Sequence, residues 1–171
     1  KTDSLSSNVS GSHFWGETDT LFCNYEKTDS LKKQILFTNG EKAEKIELRT
    51  DEKWLSAGHS IKLTPEARYG SRILLNDVNQ YDYLNINIWA FCKDEKQVHL
   101  VSEYGEKFYF HCNESDTINP LGWRKYEMGY WVPKNSDSSE CSMHIWNSGE
   151  TPVFIDNLEI IKKNLASNLS P

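Results

Sequence analysis

The chain predicts an all-β domain, a two-sheet antiparallel β-sandwich, on three observations. Helical periodicity is nearly absent: residues 32–53 carry charge but no sustained i, i+3, i+4 apolar stripe, and the closing KKNLASNLSP is too short and polar to form a helix that matters. Short apolar and aromatic runs alternate with turn residues along the rest of the chain. Within the longer runs, apolar residues recur at every second position, the period of a strand with one buried face.

Taken in order, residues 20–26 and 34–38 are the first strands, the second closed by Asn39-Gly40, a pair suited to a tight hairpin turn. Residues 45–49 and Ser60–Leu63 follow, and Thr64-Pro65 breaks the pattern. Residues 72–75, 83–92, 98–102, 107–112, 123–132, 141–146 and 153–161 complete the strands. They are separated by Asp94-Glu95, Tyr104-Gly105, the loop 113–122 and the polar stretch 133–140. Many short strands with regular turns indicate a sandwich or barrel rather than alternating strands and helices. There is no internal repeat and no second domain. The organisation expected is a polar segment over 1–19, one β-sandwich over 20–163 and a tail over 164–171.

The 171 residues suffice for one domain with a real core, and 37% hydrophobic against 26% charged residues is a globular balance. A net charge of −6 without a dense Lys/Arg run argues against nucleic acid as the main partner, because phosphate binding needs a basic footprint. No apolar run is long enough for a membrane-spanning helix. The chain opens on Lys1 and a Ser-rich stretch, which suits a tether behind a removed signal or lipid anchor, and equally a frayed end. The expected setting is extracytoplasmic: periplasm, cell surface or secreted. The four cysteines, Cys23, Cys92, Cys112 and Cys141, contain no C-x-x-C, so a zinc ribbon is not supported. An even count permits two disulfides in three connectivities, and four buried thiols fit equally well.

Aromatic content, 12% with six Trp, is the anomaly, because many rings stand beside Asn, His or Ser instead of inside apolar runs. Alternation assigns them to faces. Over 83–92, Leu84, Ile86, Ile88, Ala90 and Cys92 share one side, and Asn85, Asn87, Trp89 and Phe91 the other. Phe108, Phe110 and Cys112 oppose Tyr109 and His111. Tyr126, Met128, Tyr130 and Val132 oppose Trp123, Lys125, Glu127 and Trp131. Cys141, Met143 and Ile145 oppose Ser142, His144 and Trp146. Four strands thus put Trp, Tyr, His and Asn away from the core.

Sugars present patches of C–H bonds that stack on aromatic rings, and hydroxyls that Asn amides and imidazoles can both donate to and accept from. The candidate ligand-binding residues are therefore Asn85, Asn87, Trp89, Tyr109, His111, Trp123, Trp131, His144 and Trp146, with a poly- or oligosaccharide as partner. Trp89 ranks first, because Asn85 and Asn87 lie on its own strand face. The bland alternative is that individual rings are covered by loops or by the second sheet.

The second half resembles the jelly-roll carbohydrate-binding modules of secreted bacterial polysaccharide-handling proteins. The resemblance rests on Cys23-Asn24-Tyr25-Glu26, residues 83–89, Gly122-Trp123-Arg124-Lys125 leading to Val132-Pro133, and the closing VFIDNLEI of 153–160. It spans roughly 20 to 162, and the charged segment 27–53 departs from it. It implies a jelly-roll arrangement of the two sheets, non-catalytic carbohydrate binding, and in many members a structural calcium. By position, Glu26 and Asp156 would be the metal ligands, and calcium's preference for oxygen donors fits two carboxylates.

Enzyme readings carry less. There is no G-x-S-x-G, H-E-x-x-H or glycine-rich phosphate loop. Asp156-Asn-Leu-Glu159 is similar to part of the E-x-D-x-x-E motif of jelly-roll glycosidases, but Phe154 stands where the first carboxylate belongs. Polysaccharide lyases on similar sandwiches use the residue types of Tyr109, His111, Asn87 and Arg124, without their specific wording here. A lyase or glycosidase is thus one alternative. The other is an adhesion or assembly domain with the aromatic face packed on protein.

Overall fold

The computed structural model describes residues 15–26, 48–56, 58–75, 78–134 and 141–165. Among them eleven strands form two antiparallel sheets, with one 3-10 turn, Glu95–Gln97, and no α-helix. The larger sheet has seven strands. Its order is β2 (Arg49–Thr50), β3 (Ser60–Leu63), β11 (Val153–Leu165), β5 (Tyr83–Phe91), β9 (Arg124–Trp131) and β8 (Thr117–Ile118), with β1 (Trp15–Cys23) pairing along β11. The smaller sheet has four strands, in the order β4 (Tyr69–Leu75), β10 (Cys141–Asn147), β6 (Val98–Tyr104) and β7 (Phe108–Cys112).

The expected strands are found with adjusted ends. Ser60–Leu63 is reproduced, and 83–92, 107–112 and 123–132 shift by a residue at one or both ends. β1 begins at Trp15, inside the segment expected as a polar lead, and stops at Cys23 because Tyr25 turns to φ +61°. The two-residue β8 lies within the expected loop 113–122. The strand expected over 34–38, its Asn39-Gly40 turn, and residues 45–47 lie outside the described residues.

The two sheets close one core. Leu84, Ile86, Ile88 and Ala90 of β5, Leu100 of β6, Met143 and Ile145 of β10 and Ile155 of β11 are completely buried in one cluster. Polar seams cross between the sheets: the Tyr130 and Ser102 hydroxyls share a hydrogen bond of 2.6 Å, and those of Tyr25 and Ser71 one of 2.7 Å. The Phe110 ring stacks on Tyr130 with centroids 3.7 Å apart. Phe108 and Phe110 are only partly buried, because β7 is the edge of its sheet among the described strands.

The cysteine question resolves to four thiols, with Cys23, Cys92 and Cys141 buried and Cys112 half-buried. Burial pushes the Cys92 and Cys141 thiols up, so they pack as small apolar groups and are poor nucleophiles.

Deleting buried methylenes leaves a cavity that a close-packed interior fills poorly. Ile86→Ala is expected to cost about 2–5 kcal/mol in urea unfolding, whereas Tyr109→Ala, on a side chain 60% exposed, should cost about 0.5 kcal/mol. Comparable losses from both would show that the assignment of faces is wrong.

Candidate functional site

The sequence-predicted residues separate onto two outer faces, one on each sheet. Asn85, Asn87, Trp89 and Trp131 belong to β5 and β9 of the larger sheet, and Trp123 directly precedes β9. Tyr109, His111, His144 and Trp146 belong to β7 and β10 of the smaller sheet.

On the larger sheet the amide and ammonium donors are committed to neighbouring carboxylates, while Asn85 Oδ1 is buried without a hydrogen-bond partner among the described residues. The Asn85 amide donates to Glu127 at 2.9 Å, and the Asn87 amide to Glu159 at 2.9 Å. Lys125 completes the network with 2.9 Å to Glu127. The hydrogen bond from Asn85, and then Lys125, hold the Glu127 carboxyl below its usual range. Asn87 is buried, so it does not offer its amide to a ligand on the surface. Trp123 is also buried, its ring meeting Phe91 edge-on at 5.9 Å. Trp89 is half-buried, and Trp131 stays 51% exposed against Tyr83.

On the smaller sheet the rings form a ribbon that crosses all four strands. Tyr69 of β4 lies 5.9 Å from His144 and 6.1 Å from Trp146, both on β10. Trp146 packs on His99 of β6 at 4.5 Å, His99 on His111 of β7 at 4.8 Å, and His111 beside Tyr109 at 6.2 Å. The register produces this order. Trp146 stands opposite both Tyr69 and His99, and Val101 sits between His144 and His111, buried yet outside the core cluster. Tyr109 is 60% and Tyr69 38% exposed, and His111 beside Tyr109 is exposed as well.

Polar groups edge the ribbon. His99 Nδ1 and His111 Nε2 face each other at hydrogen-bond distance, one donating and the other accepting according to tautomer, and His99 Nε2 meets the Ser148 hydroxyl at 2.8 Å. Glu103 and Arg72 both act on His144, and Ser142 donates to Glu103 at 3.5 Å. Burial, then the neighbouring His111, holds His99 below the ordinary imidazole range, and burial does the same for His144. Both rings are therefore neutral near pH 7, each with one donor and one acceptor nitrogen.

Tyr69 and His99 were not among the expected residues. His99 was legible, since extending the alternation of 98–102 puts His99, Val101 and Glu103 outward against Val98, Leu100 and Ser102. Tyr69 was not. A bulge in β4 turns both Gly70 and Ser71 inward, with Ser71 at φ +50°, and this shifts the parity on its N-terminal side.

The expected metal ligands, Glu26 and Asp156, lie within electrostatic reach of one another, and the Glu26 charge adds a little to the rise that burial imposes on Asp156. Their oxygens, however, already face protein donors. Asp156 Oδ2 accepts the N–H groups of Leu55 and Ser56 at 2.8 and 2.9 Å, and Oδ1 that of Asn157 at 2.7 Å. Glu26 accepts the His59 N–H at 2.8 Å and faces its Nδ1 at 3.0 Å. The neighbouring carbonyls, which would complete a calcium shell, take Arg49 instead: Nε donates to Tyr25 O at 2.8 Å and Nη2 to Glu26 O at 2.9 Å. A calcium shell needs six to eight oxygens turned toward one point, and this set does not fit it. The Arg49 guanidinium supplies the local positive charge. Burial opposes ionisation of Glu26, but the hydrogen bonds from His59 outweigh it, and with Arg49 they leave the carboxyl below its usual range.

No family model matches the chain, and no curated protein matches it in sequence.

Two outcomes follow from these geometries. Arg49→Ala should lower stability by about 2 kcal/mol through two lost charge-assisted bonds, and excess chelator should leave the parent's melting temperature unchanged; a fall on chelation would restore the calcium reading. Because His99 and His144 bind protons less readily folded than unfolded, the unfolded chain gains protons first as pH drops below the free value of 6.5. Stability should therefore fall between pH 7 and 5, by less than about 1.4 kcal/mol per pH unit for each ring. In urea titrations across that range, His99→Gln with His144→Gln should flatten the fall, and an unchanged slope would refute the assignment.

Proposed function

We propose that this domain binds oligosaccharide without catalysis, through the aromatic ribbon on the outer face of the four-stranded sheet. The observation that carries the reading is the continuity of that ribbon: six rings, Tyr69, His144, Trp146, His99, His111 and Tyr109, contributed by four hydrogen-bonded strands. Rings held on a sheet lose little freedom on binding, so more of the contact energy appears as affinity. The C–H faces of a sugar stack on the open rings of Tyr109 and Tyr69. Its hydroxyls meet the His111 edge and the flanking Arg72, Glu103 and Ser142. On this reading the two sheets are the jelly roll of secreted carbohydrate-binding modules, in an extracytoplasmic setting.

Catalysis is less well supported. Glycoside hydrolysis needs a carboxyl kept protonated near neutral pH beside a second one. Among the described residues the carboxyls raised above their usual range are Asp82 and Asp156. Burial raises each of them, and each accepts backbone N–H groups within a turn or loop. Neither belongs to the ribbon.

A second reading has one specific observation behind it. Leu74, on the same outer face opposite Ser142, is 55% exposed, and an open apolar side chain on the face that carries Tyr69 and Tyr109 also suits a protein partner. Screening the domain on a glycan array and by sedimentation separates the two. Carbohydrate binding should appear without change of mass, and Tyr109→Ala should weaken it about tenfold, roughly 1.4 kcal/mol, with the melt nearly unchanged. Absence of any glycan hit, together with a concentration-dependent mass lowered by Leu74→Ser, would replace the carbohydrate reading with the assembly one.

A further inference from the structure

The outer face of the four-stranded sheet carries one acid among its described strand residues, Glu103 of β6. The register fixes its surroundings. Ser142 stands opposite it on β10 and Tyr109 opposite it on β7, each directly across a strand pair. Glu103 is half-buried, and its carboxylate takes one hydrogen bond from the described residues, the 3.5 Å contact from the Ser142 hydroxyl. None of the ion pairs among those residues includes it. A carboxylate has about four lone-pair positions, so most of this one's accepting capacity is open.

Ring faces adjoin that carboxylate. Tyr109 is 60% exposed. Burial, then Glu103 and then Tyr69 push its phenol up, which puts both residues within electrostatic reach of it. Tyr69 comes from the far edge of the sheet, its ring 5.9 Å from His144. An aromatic face is negative and attracts a cation set over it, and a carboxylate at the ring's side adds to that pull.

No cation of the described residues occupies this place. Arg72 projects from β4, with β10 between it and β6, so the two backbones stand roughly 10 Å apart. It is exposed and, among the described residues, neither pairs with an acid nor lies over a ring. Lys107, which precedes β7, is itself engaged. At His144, between Arg72 and Glu103, the charge of Glu103 outweighs that of Arg72. The net charge of −6 likewise favours the approach of cations over anions.

We infer that Glu103 and the Tyr109 ring form a subsite for an ammonium group, the protonated amine of an amino sugar within a saccharide lying on the ribbon. The inference rests on the carbohydrate reading for the ligand's class, while the unpaired acid beside open rings specifies the charge. An N-acetylated sugar carries a neutral amide in the same position and loses both the ion pair and the ring contact.

The test titrates the intact chain by calorimetry at mildly acidic pH, where sugar amines hold their protons. The ligands are a β-1,4-linked glucosamine oligomer, its fully N-acetylated form, and a glucose oligomer of the same length and linkage. The glucosamine oligomer should bind about tenfold tighter than the N-acetylated one, the sum expected of one exposed ion pair and one ring contact. Added salt should shrink that advantage. Glu103→Gln should bring the ratio to about one. Tyr109→Phe should keep it and Tyr109→Leu lower it, because a ring face holds a cation without the hydroxyl. Binding of all three oligomers without preference would keep the ribbon reading and overturn the amine subsite. A preference that survives Glu103→Gln, or a lysine-rich peptide bound in place of every saccharide, would overturn it too.

Discussion

The larger sheet is organised around one buried carboxylate, Asp156. β11 must pair with β3 over Val153, Phe154 and Ile155, and with β1 over the stretch ending at Leu165, while keeping β5 on its other side throughout. Where β11 changes neighbours from β3 to β1, its register with β5 also breaks. The break is the bulge between Asp156 and Glu159, with Asn157 at φ +50°. Asp156 holds that break by collecting three backbone N–H groups, one from its own bulge and two from the loop that leads into β3. Burying a carboxylate is expensive unless its lone pairs are met. Burial pushes this group up, and the three N–H donors pull it back. The Ser56 hydroxyl bonded to Asn157 closes the same knot from the side chain.

The two outer faces then show how one pattern of alternating residues gives two different surfaces. On the larger sheet a central strand has long neighbours on both sides, so Asn85 and Asn87 find Glu127 and Glu159 within reach across the ladder. Cross-strand pairs of this kind stabilise a sheet and tie its amide donors to carboxylates. On the smaller sheet the outward residues opposite one another are rings, and rings have little to exchange but their faces and edges. Their pairing leaves aromatic surface at both ends, and that surface is what a ligand can use.

The fold class was legible because nothing competes with it: period-two alternation in 83–92 and 123–132 places Leu84, Ile86, Ile88 and Tyr126 correctly in the core. Strand parity carries only as far as the ladder is regular. It fails at Ser71 and again at Asn157, where an extra residue swaps the faces on one side, and no local residue pattern announces either bulge. That is why Tyr69 escaped the sequence reading. Sheet membership was a second blind spot. Parity says that Trp89 and Trp146 point away from a core, but not that they do so on opposite sides of the molecule. Burial of an outward ring is a third, since Trp123 faces out of its strand and is still covered by Phe91 and its surroundings.

The protonation of the ribbon bears on what it can recognise. A charged imidazole donates twice and accepts nothing, whereas a sugar hydroxyl is best met by a partner that does both. Burial, with His111 alongside, keeps His99 neutral, and the hydrogen bond between His99 and His111 requires complementary roles of the two rings. Whichever of the two donates in that bond, the other accepts, so the assignment of one nitrogen settles its partner and, through His99 Nε2, the hydroxyl of Ser148. Were both rings charged, two cations would stand at ring-stacking distance, with both facing nitrogens as donors and no acceptor between them. Burial and the neighbouring ring therefore favour neutral His99, and a neutral imidazole can both donate to and accept from a hydroxyl group.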